Sequence, residues 1–324
     1  MKEPENKMKD KTENYLTKTS SICILALICT ALWGSAYPGV KIGYELFGIE
    51  SKDYATQILF AGYRFALAGV LTFIIGCVLS RKIIYPKKKT VGPIAMIGMV
   101  QTTLQYIFFY LGLSNTSGVN GAIVAATNTF FLILLAHFFI KGERLNISKV
   151  LGCILGFLGV VTINLGGLGQ GGGFHLKGEG FLLIAACSYG LGSVLTKQFA
   201  KDEDPTTLTA YQLLLGGILL IFLGLSMGGQ LGQVSSKGVF LLLYLAMLSA
   251  VAFTLWTVLL KYNPVGKISI YSFMIPVFGV MMSAIFLGEQ AFTIRNIMAL
   301  LFVCAGIYIV NKGGEYTIKK KKDQ

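Results

Sequence analysis

Ten runs of about 20 apolar residues follow one another along the chain, and short links rich in Gly, Pro, Asn and Lys separate them. A bilayer core about 30 Å thick takes about 20 apolar residues per helix, so each run predicts one membrane-spanning helix. Because the links are short, neighbouring helices are predicted to be antiparallel. The predicted spans are 20–40, 57–79, 91–111, 119–140, 147–166, 178–199, 208–226, 237–260, 267–287 and 293–311.

The composition indicates a membrane protein without a soluble domain. Of the 324 residues, 54% are hydrophobic and 13% are charged, and the mean hydropathy is +0.67. A soluble domain of this composition would expose large apolar patches. The net charge of +13 comes from short clusters between the spans, so no nucleic-acid partner is predicted. The predicted fold is all-α and polytopic, in contact with the lipid bilayer.

The basic residues predict the orientation, because Lys and Arg collect on the cytoplasmic side of a membrane. Of the 28 basic residues, 22 lie in the N-terminal tail, the even-numbered links and the C-terminal tail or within three residues of them, and five lie in or equally near the odd-numbered links. The remaining one, Arg64, lies inside the second span. Both termini are therefore predicted to be cytoplasmic, in a multi-pass protein of the plasma membrane.

The spans and links carry no sequence signal for catalysis or metal binding, and the formal match to a dinucleotide-binding motif is a false positive. Gly167, Gly169 and Gly172 have GxGxxG spacing, but no soluble strand precedes them, and they are predicted to lie in a flexible extracellular connector. The six cysteines all lie within spans and form no CxxC pair, so neither a disulfide framework nor a metal site is predicted. HExxH and GxxxxGK[ST] do not occur. We expect no catalytic residue and no cofactor.

The second half of the chain repeats features of the first. Gly142-Glu143 at the end of span four returns as Gly288-Glu289 at the end of span nine, and Tyr63-Arg64-Phe65 returns as Tyr211-Gln212-Leu213. Five spans per copy is an odd number, so the second copy enters the membrane from the opposite side. Such inverted repeats favour transport, because two nearly equivalent halves can open a shared site to either side at similar free energy. The predicted divisions are a disordered tail (1–19), a first repeat (20–166), a second repeat (178–312) and a basic tail (313–324).

These motifs resemble the EamA branch of the drug/metabolite transporter superfamily over about residues 20–312. The resemblance rests on the order of Trp33-Gly34-Ser35 with Lys41, Arg64-Phe65, the stretch from Ser114 to Gly142-Glu143-Arg144-Leu145, and its echo from Asn263 to Gly288-Glu289. It implies ten helices with cytoplasmic termini, two inverted repeats and a central cavity formed chiefly by spans one, three, four, six, eight and nine. It also implies export of amino acids and related metabolites, although relatives carry sugars, nucleosides or nucleotide sugars.

Polar residues inside spans mark candidates for a substrate cavity, since a polar group in hydrocarbon needs a partner or water. Gln101 and Gln105 lie four residues apart and are predicted to share one face of the third span. Thr127 and Asn128 lie near the middle of the fourth span. For both pairs the alternative is a hydrogen bond between helices that never meets a substrate.

Aromatic residues predict the walls of the same cavity. Trp33 and Tyr37 lie four residues apart on span one, and Tyr189 and Ser193 hold the equivalent places on span six. Such walls suit a flat or amphipathic solute, while core packing is the alternative. Two further candidates, Thr254 and Phe273, lie on spans eight and nine.

Three charged residues are candidates for gating or substrate attraction. Arg64 lies about 10 Å inside its span, where it either attracts a substrate carboxylate or snorkels to the outer interface and holds a carbonyl. Glu143 and Glu289 lie at span ends, where a gate contact or proton site competes with a structural role at the helix junction.

The sequence thus predicts a secondary transporter that moves a small-molecule substrate, most simply an amino acid or metabolite exporter. Transport of a sugar, nucleoside or nucleotide sugar is the alternative within this class, and a membrane-embedded enzyme acting on lipid-linked substrates is the alternative from another class. Coupling to protons is left open. Gly152 and Gly156 form a GxxxG pair that predicts close helix contact, either within the bundle or across a homodimer.

Overall fold

The computed structural model describes residues 15–141, 145–164, 175–232, 234–263, 265, 268, 270–290 and 293–309 apart from 303 and 307. Every regular element in these ranges is helical. The ten principal helices are α1 (Thr19–Phe47), α2 (Tyr54–Ser80), α3 (Lys88–Ser114), α4 (Gly118–Phe139), α5 (Ile147–Asn164), α6 (Leu176–Phe199), α7 (Pro205–Ser226), α8 (Ser236–Tyr262), α9 (Met274–Leu287) and α10 (Ile294–Gly306).

The predicted all-α polytopic fold is confirmed. Seven helices, α1 to α4 and α6 to α8, are long and apolar enough to cross a membrane, and α5, α9 and α10 contain shorter apolar stretches. Large side chains on the outside, such as Ile154, Phe240 and Leu301, are more than half exposed, as a lipid-facing surface requires. The predicted tails lie outside the described residues, except 15–19 at the start of the chain.

Polar residues fix where several helices begin. The Asp53 carboxylate accepts a hydrogen bond from the Thr56 amide at the start of α2. Asp204 does the same for Thr206 and Thr207 at the start of α7, where Pro205 occupies the first turn. These caps pair amide groups that a helix leaves without partners at its first turn.

The helices pack in a pattern that is preserved when the two halves of the chain are exchanged. α1 packs on α8 and α9, and its counterpart α6 packs on α3 and α4. α2 packs on α8, its counterpart α7 packs on α3, and α2 and α7 also pack on each other. A two-fold relation between the halves produces this pattern.

Two glycines at the centre of the α2–α7 contact show the same two-fold relation between the halves. A methyl group added at Gly69 would lie 2.5 Å from the Leu214 nitrogen, and one added at Gly217 would lie 2.2 Å from the Ala66 nitrogen. Leu214 and Gly217 each lie 148 residues after their counterparts, Ala66 and Gly69. The two backbones therefore touch reciprocally where only glycine fits.

The GxxxG pair of α5 packs inside the bundle. A methyl group at Gly156 would overlap the ring of Phe130 on α4. A methyl group at Gly306 of α10 would lie 2.5 Å from the Gly152 carbonyl oxygen. Both glycines thus serve contacts within one chain, and a homodimer stays a prediction.

A buried carboxylate joins the two halves at one end of the bundle. Glu203, which precedes α7, is 4% exposed and accepts hydrogen bonds from the Lys87 amide (2.9 Å), the Thr90 hydroxyl (2.6 Å) and the Asp204 amide (3.0 Å). Burial alone would raise the pKa of Glu203, but these hydrogen bonds and the charge of Lys87 outweigh it and hold the pKa below its ordinary value. The Lys261 ammonium donates to the Glu203 carbonyl oxygen.

We expect Glu203 to make the protein sensitive to acid. A carboxyl group with a depressed folded-state pKa contributes stability above its unfolded value, about 4.3, and that contribution is lost as the pH falls through the folded value. The Glu203→Gln variant should therefore melt at a lower temperature than wild type at pH 7 and lose less stability below about pH 5. Thermal melting across pH measures this. The control is Glu45→Gln at an exposed position of α1, and equal pH profiles for wild type and Glu203→Gln would contradict the assignment.

Candidate functional site

A small cavity of about 40 Å³ lies between six helices near the centre of the bundle. This volume holds only a few water molecules, so the bundle is nearly closed around it. α1, α2, α3, α4, α6 and α9 all contribute to its wall. The lining residues are Trp33, Ala36, Tyr37, Arg64, Gln105, Tyr106, Phe109, Ala125, Asn128, Leu182, Ala185, Tyr189 and Ile275.

Aromatic rings make up much of the wall. The Trp33 ring meets the Tyr189 ring edge-on, with their centroids 6.2 Å apart, and it meets the rings of Phe253 and Trp256 on α8 at 5.6 and 5.1 Å. Tyr37 packs against Phe109 of α3 at 5.6 Å. The contacts of Trp33 are edge-on, an arrangement that aromatic pairs prefer, so the rings of α1, α6 and α8 pack as one cluster beside the cavity.

The guanidinium of Arg64 lies in the same wall and is 1% exposed. It does not snorkel to the interface, because three inward partners hold it. Its Nε donates to the Leu245 carbonyl oxygen (3.2 Å) and to Ser249 Oγ (3.0 Å), both on α8, and its Nη1 donates to the Tyr110 hydroxyl (3.1 Å).

The positive charge of Arg64 is solvated by neutral oxygens and aromatic faces. Its guanidinium carbon lies 4.8 Å from the centre of the Phe65 ring and 5.9 Å from that of Tyr106. Among the described residues, no carboxylate lies within 4.0 Å of it and Nη2 has no hydrogen-bond partner. The cavity wall thus carries a cation with donor capacity to spare.

The two glutamines predicted to share a face are separated by the structure. Gln105 lines the cavity, and its Oε1 is buried without a partner. Gln101 does not line it, because its amide donates to Ser193 Oγ (3.3 Å) and accepts from the Thr196 hydroxyl (3.2 Å) on α6. The reason is a π-helical segment at Gly98–Leu104, whose wider turns shift residues four apart out of register.

The remaining cavity candidates take different places. A break in α4 after Ala125 turns Asn128 into the cavity, while the Thr127 hydroxyl donates to the Val124 carbonyl oxygen (2.7 Å). Ser193 bonds to Gln101, and Thr254 on α8 is not part of the lining. Phe273 lies in a 3₁₀ turn before α9, and its side chain is outside the described part of the structure.

Of the two glutamate candidates, Glu289 is described and does not line the cavity. Glu289 lies after α9, where its carboxylate accepts the amides of Gly118 (2.9 Å) and Val119 (2.8 Å) at the start of α4. It therefore caps a helix of the other half, which is the structural role at a helix junction. Glu143 lies outside the described residues.

Several functional candidates were missed from the sequence. Tyr106, Phe109 and Ile275 line the cavity, and Tyr110 and Ser249 hold Arg64. The spacing of Gln105 and Phe109, four residues apart, is a signal that could have added Phe109 to the α3 part of this wall. Nothing in the sequence pattern distinguishes Ser249 from the other small residues of α8.

The chain matches a known family twice. The model of the EamA-like transporter family matches residues 20–165 and 176–312. An uncharacterized transporter of Bacillus subtilis, YvbV, is 28% identical over 305 residues, which cover 91% of this chain and 93% of that protein. An uncharacterized transporter of Archaeoglobus fulgidus is 28% identical over 293 residues, covering 89% and 97%. A solved crystal structure with 16% identity has the same fold, with a TM-score of 0.70 over 93% of this chain and 99% of that one.

Proposed function

Since the chain belongs to the EamA-like transporter family and is a membrane transporter of the drug/metabolite superfamily, we propose that it moves small metabolites bearing a carboxylate, most simply amino acids, out of the cell. The observation that carries this proposal is the guanidinium of Arg64, which lies in the cavity wall without a carboxylate partner among the described residues. A substrate carboxylate would supply the missing negative charge and accept from Nη2.

The rest of the cavity wall suits an amphipathic substrate, because each polar end of such a substrate would find a hydrogen-bond partner there. The unpartnered Oε1 of Gln105 is an acceptor for an ammonium group, and the rings of Trp33 and Tyr37 offer faces to an apolar or aromatic side chain. A phosphorylated substrate fits less well, since the described part of the cavity wall offers one basic side chain, Arg64.

Transport would proceed by alternating access between the two halves. In the described state the cavity is too small for an amino acid, so entry and release each require the bundle to open on one side. The helix packing is preserved when the two halves are exchanged. This supports two open states of similar free energy, because each half can make the contacts that the other half makes. With the positive-inside orientation, Glu203 belongs to the cytoplasmic end and Glu289 to the outer end, and the protein lies in the plasma membrane.

The experiment is a counterflow assay with purified full-length protein in liposomes. Liposomes loaded with one amino acid at a time should accumulate the labelled form of the same amino acid, and its carboxamide derivative should be transported at least about tenfold less well, because it lacks the charge that pairs with Arg64. Flux of uridine or glucose without amino acid flux would overturn the proposed substrate class.

A variant inside the cavity separates binding from folding in this assay. Gln105→Leu should raise the substrate KM by about tenfold, which corresponds to the loss of one hydrogen bond to a charged group. The matched control is Gln101→Leu, four residues away on the same helix, where the lost hydrogen bonds go to Ser193 and Thr196. This control should lower the melting temperature and leave KM unchanged, and equal KM values for all three proteins would remove Gln105 from the site.

A further inference from the structure

The cavity carries a positive charge that no described residue of its wall balances. Arg64 is the only charged side chain among the described lining residues, and no carboxylate in the described part of the chain lies within 4.0 Å of its guanidinium. The cavity is small and nearly closed, so water screens this charge poorly. A buried charge without a counter-charge is costly. We therefore expect the cavity to favour a solute whose own net charge is negative.

The same cavity is lined by neutral hydrogen-bond donors that the protein leaves unused. The hydroxyls of Tyr37 and Tyr106 and the side-chain amide of Asn128 have no hydrogen-bond partner among the described residues. The rings of Tyr37 and Tyr106 both pack against Phe109, with a centroid distance of 5.6 Å in each pair. A cavity of about 40 Å³ is only a few ångströms wide, so these groups and Arg64 face one common space. Together they can donate to more than one carboxylate.

A neutral amino acid would leave both features of the cavity unmatched. Its carboxylate would pair with Arg64, but its ammonium group would then meet only the neutral Oε1 of Gln105. The complex would bury one net positive charge, and the free donors would face an apolar side chain. A second carboxylate in the side chain corrects both, since it brings the missing negative charge and accepts hydrogen bonds.

Resting on the proposed function, we infer that the cavity selects acidic amino acids, aspartate and glutamate, over neutral ones. One carboxylate would pair with Arg64, and the other would accept hydrogen bonds from Tyr37, Tyr106 and Asn128. The ammonium group would donate to Gln105 Oε1. The complex as a whole would then be neutral, as a site inside a membrane requires.

The same count of charges disfavours a dicarboxylate that lacks an amino group. Succinate carries two negative charges, and Arg64 would balance one of them. It also has no donor for Gln105 Oε1, which would stay unpaired. Aspartate, asparagine and succinate therefore differ in net charge at nearly the same size, and the inference ranks aspartate first.

The net charge of an acidic amino acid also suits export. The potential across a cell membrane is negative inside, so it favours the outward movement of a solute that carries one negative charge. A neutral amino acid gains nothing from this potential. The inferred substrate class thus gives the proposed exporter a driving force.

Counterflow with purified full-length protein in liposomes compares the three solutes. Aspartate should have a KM at least about tenfold lower than asparagine, and succinate should have a KM above that of aspartate. A KM for asparagine or succinate that equals or falls below that of aspartate would overturn the inference, while flux of asparagine alone would leave the proposed function standing. Absence of flux for every amino acid would overturn the proposed function itself.

An isosteric variant tests whether net charge sets the preference. Asn128→Asp adds one negative charge to the cavity wall at unchanged shape, so the ratio of the KM values should shift at least about tenfold toward asparagine. The matched control is Asn146→Asp, since Asn146 caps the start of α5 by accepting the Lys149 amide and aspartate makes the same cap. It should keep the wild-type ratio. Should Asn128→Asp not fold, Gln105→Glu adds the same charge to the same cavity and decides. A wild-type ratio in the folded cavity variant would overturn the inference.

A second pair of variants tests the free donors. Tyr37→Phe removes a hydroxyl that has no partner among the described residues, so it should raise the KM for aspartate by about tenfold and change that for asparagine less. Tyr44→Phe, on the same helix, is the control, because the Tyr44 hydroxyl donates to the Tyr110 carbonyl oxygen and Tyr44 does not line the cavity. It should lower the melting temperature and keep both KM values. An equal change for aspartate and asparagine in Tyr37→Phe would overturn the binding of a second carboxylate.

Discussion

Replacing Arg64 with glutamine should reduce transport of a carboxylate substrate by about a hundredfold, equivalent to about 2.7 kcal/mol. Glutamine is the residue that the second half carries at this place. It retains a hydrogen-bond donor but loses the positive charge that would pair with the carboxylate. Lysine keeps the charge without the planar fork of donors, so Arg64→Lys should retain an intermediate rate.

Arg64 also holds the bundle together, and the measurement must separate the two roles. Loss of its guanidinium leaves Ser249 Oγ and the Tyr110 hydroxyl without this donor, whereas the Leu245 carbonyl still accepts from Ser249 Oγ. Each unsatisfied group costs about 1–3 kcal/mol. We therefore expect a lower melting temperature as well. The Ser249→Ala variant removes one of these partners and leaves the charge, so it should lower the melting temperature and keep most of the transport. If Ser249→Ala loses as much transport as Arg64→Gln, Arg64 acts only as a structural residue.

The fold could be predicted from the sequence because the bilayer imposes one dominant constraint. An apolar run must be a helix when water cannot reach its backbone. The ends were less certain: the predicted first span stops at residue 40, before Lys41, yet α1 continues to Phe47. Tyr44 and Phe47 are buried against the bundle, and this packing extends the helix past the charged residue. Hydropathy detects residence in lipid and does not detect such contacts.

The cavity could be predicted only in part, because some candidate residues lie in regular helix and others lie where the helix is irregular. Trp33, Tyr37 and Gln105 line it, and they lie in regular helix where spacing fixes direction. Gln101 and Thr127 lie at the π-helical segment of α3 and at the break in α4, where spacing gives the wrong face. The partners of Arg64 were beyond reach, because Ser249 is 185 residues away and only the packing of α2 on α8 brings it there.

Substituting leucine for Gly217 should prevent the two halves from assembling. A single methyl group there would already lie 2.2 Å from the Ala66 nitrogen and 2.7 Å from the Ala66 Cα, which are backbone atoms that no rotamer change can move away. The helices would have to separate, and a loss above about 4 kcal/mol is expected for such a clash. Purified yield, size-exclusion profile and melting temperature measure this outcome.

The neighbouring position supplies the control for Gly217→Leu. Ile218 is 49% exposed on the outside of α7, so Ile218→Phe adds bulk toward the lipid and should leave the melting temperature nearly unchanged. Gly69→Leu should fail as Gly217→Leu does, because each glycine meets the backbone that bears the other. Separation of α2 from α7 would also shift α2 and displace Arg64 from the cavity wall. A Gly217→Leu protein that folds and transports at the wild-type rate would mean that the α2–α7 contact does not hold the halves together, and that the cavity is shaped without it.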